Sequence, residues 1–304
     1  MNNVVLSEEL SQVSRLFLYA AMAIYTFAFL ADALNLARRA SEDKDVRASA
    51  TVTERAGLIF LIIATLLLGV GVVLRAISVA RVPWGNMYEY AITGSLVIAF
   101  IFLVARFFVE EIRFASVLIS GFALLTLGVA TTVFYVEVAS LMPALQSYWL
   151  IIHVSVAVLS TAFFYIAAAL AIGYLFKTAG WLQKSKRGFV KPLRRLFNSF
   201  PADNKLERLS YRFNIIGFIL WTFTLIAGAI WAERAWHRYW GWDTKEVWTF
   251  IIWTLYAGYL HANATRGWSG KRSAWLSLVG FAAVIFNFVV VNLYFKGLHV
   301  YSGL

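Results

Sequence analysis

Residues 149–176 read WLIIHVSVAVLSTAFFYIAAALAIGYLF and contain no Asp, Glu, Lys or Arg. A helix needs about 20 mostly apolar residues to cross the hydrocarbon core of a bilayer, so this stretch is long enough to span a membrane. The sequence predicts an all-α, polytopic integral membrane bundle of about eight transmembrane helices, because seven other segments meet the same requirement: 14–37, 57–78, 88–108, 115–136, 213–232, 247–264 and 274–295.

The composition excludes several other classes of protein. Hydrophobic residues make up 61% of the chain and charged residues 14%, compared with about 25% charged residues in a typical globular protein. This is not the composition of a disordered chain, a coiled coil or a nucleic-acid-binding domain, although the net charge is +11. The absence of cysteine excludes disulfides, thiol nucleophiles and thiolate metal sites in this chain.

The basic residues predict which loops face the cytoplasm. Lys and Arg are enriched in cytoplasmic loops, and here they are clustered in four alternate loops. The loop at 177–212 alone holds ten of them. We therefore expect both termini, and the loops near 79–87, 137–148 and 233–246, to lie on the outer side of the membrane.

Tryptophan is concentrated in one of these outer loops. Seven of the twelve Trp residues lie between 221 and 253, and residues 231–248 read WAERAWHRYWGWDTKEVW. An interfacial aromatic belt is the simpler interpretation, but a belt explains only one or two Trp residues at each helix end. The high density of Trp residues in this segment favours an aromatic surface that binds a large, flat, partly apolar ligand.

Asp243 and Glu246, within this segment, are expected to be structural rather than catalytic. Asp243 can be the N-cap of the seventh helix, and Glu246 then stands at N3, where it completes a capping box. Trp242 and Val247 would occupy the positions of a hydrophobic staple.

Two of the four histidines are predicted at the outer level, on either side of the Trp-rich loop. His153 lies about one turn into the fifth helix, and His299 lies just beyond the end of the eighth. A single histidine is more often structural than a ligand, but two neutral imidazoles at one level can bind haem iron axially. The pattern is not that of a b-type electron carrier, which needs two histidines on each of two helices, nor that of a zinc site.

His261 is predicted in the inner half of the membrane, about 21 Å along its helix from Val247. Ionisable groups inside a span are costly and point to function. Thr254, Gly258 and His261 share one helix face, which leaves room for a bulky ligand beside the imidazole. His237, within the Trp-rich loop, is interpreted as a surface residue.

At these residues the sequence resembles the CcsA (ResC) family of cytochrome c biogenesis by System II, part of a haem-handling superfamily named for its WWD signature. The resemblance is carried by the string from Trp231 to His261, by VNLYFKGLHVYSG at 291–303, and by PWGNMYEY and LQSYWLIIHVSVA upstream. It implies a division into N-terminal transmembrane helices 1 and 2 (1–80) and a haem-handling core (81–304), with the WWD loop at about 231–248.

The resemblance implies that His153 and His299 ligate the iron of haem b at the outer face. Trp236, Trp240, Trp242 and Asp243 would belong to the WWD loop that contacts the haem. His261 would be one of two intramembrane ligands, with the second on a partner called CcsB or ResB. No catalytic residue is assigned to this chain.

The resemblance also implies the activity. With its partner, the chain would form a holocytochrome c synthase, or haem lyase, in a bacterial plasma membrane or a thylakoid membrane. It would export or receive haem and present it to the CxxCH motif of apocytochrome c on the extracytoplasmic side. A separate thiol-reducing system is implied because the chain has no cysteine. A System I haem-delivery protein and a small-molecule transporter without haem are the alternatives; membrane lipids are expected partners, and nucleic acids are not.

Overall fold

The computed structural model describes residues 2–138, 146–185, 187–295 and 297–298, and these residues contain helices but no β-strand. In chain order the helices are α1 (Asn2–Arg39), α2 (Lys44–Ala48), α3 (Ala50–Ser78), α4 (Met87–Phe108), α5 (Ser116–Thr132), α6 (Tyr148–Lys177), α7 (Gly180–Lys184), α8 (Lys191–Asn198), α9 (Asp203–Trp236), α10 (Thr244–Arg266), α11 (Lys271–Phe286) and α12 (Asn292–Tyr294). Short 3₁₀ segments precede α5 and α8, and a π-helical segment, Asn287–Val291, joins α11 to α12.

The predicted all-α membrane bundle is confirmed. The described residues include seven helical stretches that are long and apolar enough to cross a membrane: Ser7–Arg39, Lys44–Ser78, Met87–Phe108, Glu110–Thr132, Tyr148–Lys184, Asp203–Trp236 and Lys271–Tyr294. The eighth predicted span, 247–264, is helical as part of α10, but α10 is not one of the seven. Polar side chains such as His261 and Asn263 lower its hydropathy. The side of the membrane on which each terminus lies remains a prediction.

Helix α6 is the most deeply buried of the seven. Its small residues let α9 approach closely: Ser160 Oγ donates to the Gly217 carbonyl at 2.7 Å, and Ser210 Oγ of α9 donates to the Ala167 carbonyl at 2.9 Å. A Cβ at Gly217 would lie 2.6 Å from the Phe164 ring, so only glycine fits there. Small residues and hydroxyl groups of this kind are typical of helix pairs in membranes. The α6–α9 pair is therefore a fixed frame for the side chains that it carries.

The four basic loops gather at one end of the bundle, as their alternation predicts. Glu54 of α3 pairs with Arg39 at 2.6 Å and with Arg106 of α4 at 3.2 Å. Lys205, at the start of α9, pairs with Glu111 at 2.7 Å. Further contacts join these loops: Lys191 and Arg195 with Glu42, Lys177 with Asp203, and Gly270 N with Glu207.

The opposite end is held by a buried ion cluster. Glu89, which is fully buried, pairs with Arg75 at 3.1 Å and with Arg81 at 2.6 Å, and it also accepts a hydrogen bond from Gly85 N. Arg75 donates to the Val136 carbonyl at 3.0 Å. This cluster fixes the turn that carries Trp84 and Asn86 beside the Trp-rich loop.

Candidate functional site

Residues 231–236 of the predicted Trp-rich loop belong to α9, which ends at Trp236. His237 adopts a left-handed conformation, with φ of 55°, and its N–H donates to the Glu233 carbonyl at 2.8 Å, which closes the helix. Trp242 is also left-handed, with φ of 58°. The two left-handed residues lie within residues 237–242 and turn the chain back toward α10. The Trp side chains of this segment therefore point in different directions.

The predicted capping box at the start of α10 is confirmed. Asp243 Oδ1 accepts from Lys245 N at 3.0 Å, and Glu246 Oε2 accepts from Asp243 N at 3.1 Å and from Gly241 N at 2.8 Å. Asp243 also has a contact that the sequence does not predict, since its Oδ2 accepts from Leu298 N at 2.8 Å. The staple is not formed as expected, because the Trp242 side chain is 77% exposed.

The four tryptophans between Trp231 and Trp242 form two groups rather than one continuous surface. Trp236 packs on the buried Trp231, with ring centroids 5.1 Å apart. Trp240 and Trp242 meet edge to face at 5.8 Å, and Trp240 also contacts Phe250 of α10 at 6.3 Å. Trp231 and Trp240 line a cavity, whereas Trp236 and Trp242 do not.

This cavity has a volume of about 220 Å³. We call it the outer cavity because it lies at the end of the bundle that the loop charges predict to face the outer side. Three helices contribute lining residues over stretches of equal length. These stretches are Met87–Ile98 of α4, Leu150–Thr161 of α6 and Trp221–Ala232 of α9. At 1.5 Å per residue, each of these stretches is about 16 Å long. The outer cavity therefore extends from the Trp-rich loop into the apolar part of the bundle.

His153 lines the outer cavity and is held in a defined orientation. Its Nδ1 lies 3.0 Å from the Thr224 carbonyl oxygen, and its ring stacks on Trp231 at 5.8 Å with an interplanar angle of 26°. A carbonyl only accepts hydrogen bonds, so Nδ1 carries a proton. A histidine that binds a metal through one ring nitrogen typically donates a hydrogen bond from the other, and this hydrogen bond fixes the tautomer. A Cβ at Gly228 would lie 2.9 Å from Cε1 of this ring.

Lys245 lines the polar end of the outer cavity together with Glu246, Asn287 and Asn292, and the sequence pattern does not predict its place in the site. Its Nζ donates to the Asn287 carbonyl in the π-helical segment and to Asn292 Oδ1, both at 2.8 Å. Lys245 lies in the first turn of α10, outside the seven spans. Burial lowers the pKa of Lys245 to about 7, and the charge of Asp243 opposes this shift. π-Helical segments often occur at functional sites.

His261 lies in a separate concavity, which we call the inner groove. The residues Thr254, Gly258 and His261 line it together, as their helical spacing predicts, and Trp268 closes one side. His261 is exposed, and it lies within two turns of the end of α10, where the basic loops gather. The structure thus separates His261 from His153.

His299 lies outside the described residues. The residue before it in the sequence, Leu298, is the one whose N–H binds Asp243. Leu298 therefore lies against the first turn of α10, beside the outer cavity.

Comparison with known proteins identifies the family. Residues 84–299 match the family described as Cytochrome C assembly protein. The chain is 35% identical over 259 residues to a cytochrome c biogenesis protein CcsA from Prochlorococcus marinus, covering 79% of this chain and 81% of that one. It is also 35% identical over 243 residues to the CcsA protein of Guillardia theta, covering 76% and 80%. The chain therefore belongs to the CcsA family of cytochrome c biogenesis proteins.

Proposed function

We propose that this chain is the haem-handling subunit of a System II cytochrome c synthase and that it presents haem b in the outer cavity for attachment to apocytochrome c. The observation that carries the proposal is His153, an imidazole oriented by a backbone carbonyl and an indole ring on the wall of a largely apolar cavity. The family membership supports a role in cytochrome c biogenesis, in which haem is the group to be attached.

The outer cavity suits the two chemical halves of haem. Its walls on α4, α6 and α9 are apolar and aromatic, which suits the macrocycle and its vinyl groups. Its polar end holds the Lys245 amine, which can pair with a propionate carboxylate. Two of the three protons of a Lys245 ammonium are used by Asn287 and Asn292, so one remains for such a contact.

The chain's residues would bind and orient haem, while the reactive groups belong to haem and to the apocytochrome. His153 and His299 would hold the iron, and the Trp240 ring would cover the haem edge. Each thiol of a CxxCH motif would then add across a vinyl group, its sulfur binding one carbon and its hydrogen passing to the other. This chain and a CcsB/ResB partner would together form the synthase, and a separate thiol-reducing system would supply the reduced substrate.

The inner groove would receive haem on the cytoplasmic side. His261 would give one imidazole and the partner the other, because the chain has four histidines and no second one near the inner groove among the described residues. The WWD loop would face the extracytoplasmic side of a bacterial plasma membrane or a thylakoid membrane, in agreement with the gathering of basic loops at the opposite end.

An absorption spectrum of the chain purified with its coexpressed partner tests this proposal. We expect a bis-imidazole haem spectrum that is lost from the outer site in His153→Ala and partly restored by added imidazole. His237→Asn is the matched control, because His237 is exposed and asparagine tolerates its left-handed backbone. A wild-type complex without haem would contradict the proposal and favour a transporter that does not handle haem.

A further inference from the structure

The exposed residues of α10 form one continuous stripe between the two concavities. Phe250, Thr254, Gly258 and His261 are all exposed, and steps of four, four and three residues keep them on one helix face. From His261 to Phe250 the stripe is about 16 Å long. The opposite face of α10 is packed into the bundle by buried residues, which are Ile252, Tyr256 and Tyr259.

The stripe is continuous with both candidate sites. At its lower end, Thr254, Gly258 and His261 are themselves the lining of the inner groove. At its upper end, the Phe250 ring lies edge-on to Trp240, which lines the outer cavity. The stripe therefore runs from the inner groove to Trp240, at the wall of the outer cavity.

The surface of the stripe suits a flat, apolar molecule. A Cβ at Gly258 would meet nothing within 4 Å, so there is open space above the middle of the stripe. Phe250 is 50% exposed and is held parallel to Trp253, with an interplanar angle of 8°. A ring fixed in this way offers one open face for stacking.

The direct route between α9 and α10 is closed by two indole hydrogen bonds. Trp221 of α9 donates from Nε1 to the Thr249 carbonyl at 3.0 Å. Trp253 of α10 donates from Nε1 to Thr222 Oγ1 at 2.9 Å. These tryptophans fill the space between the helices at the level that separates the inner groove from the outer cavity.

We infer that haem passes from the inner groove to the outer cavity along the outward face of α10, over Gly258, Thr254 and Phe250, and not between α9 and α10. This inference rests on the proposed function and adds the route to it. The movement requires no covalent step in this chain. It requires only that the stripe stay open and apolar.

Gly258→Phe tests the route by placing a ring in the open space of the stripe. We expect a severalfold loss of haem at the outer site in the coexpressed complex. Because Gly258 also lines the inner groove, haem at the inner site is measured in parallel, in a His153→Ala background that lacks the outer ligand, and the loss of outer haem should exceed any loss of inner haem. Ile59→Phe is the matched control, since Ile59 of α3 is 55% exposed and lines neither concavity, and it should load haem normally.

Phe250→Glu is a second, independent block, about 16 Å from His261 along the helix and therefore harmless to the inner groove itself. It should retain inner haem and lose outer haem, so it separates a blocked route from weaker binding in the inner groove. Trp253→Phe, which removes one of the two hydrogen bonds across the α9–α10 interface, should leave outer haem unchanged.

Normal outer loading in Phe250→Glu would overturn the inferred route, as would a gain of outer haem in Trp253→Phe. Both results require a wild-type complex that binds haem. A wild-type complex without haem would instead contradict the proposed function.

Discussion

The carboxylate of Asp243 accepts a hydrogen bond from the backbone N–H of Leu298 at 2.8 Å. Its other oxygen caps α10 through Lys245 N. One side chain therefore ties the start of α10 to the residue that precedes His299. Gly297 lies so close to this carboxylate that a Cβ would collide with Oδ2, and any larger residue would separate the two segments.

The two roles of Asp243 can be separated by substitution. Asp243→Ala should lose the cap, at a cost of about 0.5–2 kcal/mol, and lower the amount of protein in the membrane. Asp243→Asn keeps one acceptor oxygen for the cap and replaces the other with an amide that cannot accept from Leu298. We expect near-normal protein levels and reduced outer haem, measured by immunoblot and absorption. Normal outer haem in Asp243→Asn would show that the hydrogen bond to Leu298 does not position His299, the proposed iron ligand.

Gly228→Ala should displace the His153 imidazole without removing it, because its Cβ would lie 2.9 Å from Cε1. We expect a shifted haem spectrum and lower maturation of cytochrome c, with partial rescue by imidazole. Gly94→Ala is the control, since Gly94 also lines the outer cavity but has open space for a Cβ. Equal spectra for the two variants would argue against His153 as an iron ligand.

Trp240→Ala should lower haem retention at the outer site more than Trp242→Ala. Trp240 lines the outer cavity, whereas Trp242 is 77% exposed and points away from it. Loss of apolar and stacking area at Trp240 lowers the affinity for a flat ligand. Haem loss during gel filtration of the two variants measures this difference. A greater loss from Trp242→Ala would place the haem on the exterior of the loop.

Lys245 should make outer haem affinity depend on pH. Its pKa of about 7 in the haem-free protein rises when a carboxylate binds beside it. The contribution of Lys245 to binding is then full below about pH 7 and is lost as the pH rises through the higher pKa of the complex. Haem dissociation rates measured across this range should increase with pH. Lys245→Met has a similar length and no charge, and it should abolish the dependence; an unchanged pH profile would exclude Lys245 as the propionate contact.

His261→Ala should reduce haem at both levels, because the inner groove would supply the outer cavity. The chain expressed without its partner should hold little haem in the inner groove, since one imidazole is absent. Haem content of the complex, with and without the partner, measures both effects. Wild-type outer haem in His261→Ala would break the proposed order of transfer. It would mean that His261 is a structural residue or that haem enters from the membrane or from the outer side.

Much of this architecture follows from local sequence patterns. Apolar length predicts the spans, the alternation of basic loops predicts which loops meet, and the sequence from Asp243 to Glu246 predicts the capping box. The inward position of Lys245 is not predictable in this way, because it depends on acceptors from Asn287 and Asn292, more than forty residues away. The division of the Trp residues into two groups also escapes a linear pattern, since the left-handed backbone at His237 and Trp242 redirects each ring.

The partner of His153 Nδ1 is a main-chain oxygen, and this has a genetic consequence. Every amino acid carries the same carbonyl, so no substitution at position 224 can delete the group that orients the imidazole. A screen of point mutants would recover His153 itself and would not reveal position 224 through loss of a side-chain contact. Inserting or deleting a residue in α9 between Gly217, which is locked against α6, and Thr224 would rotate that oxygen away and expose the dependence.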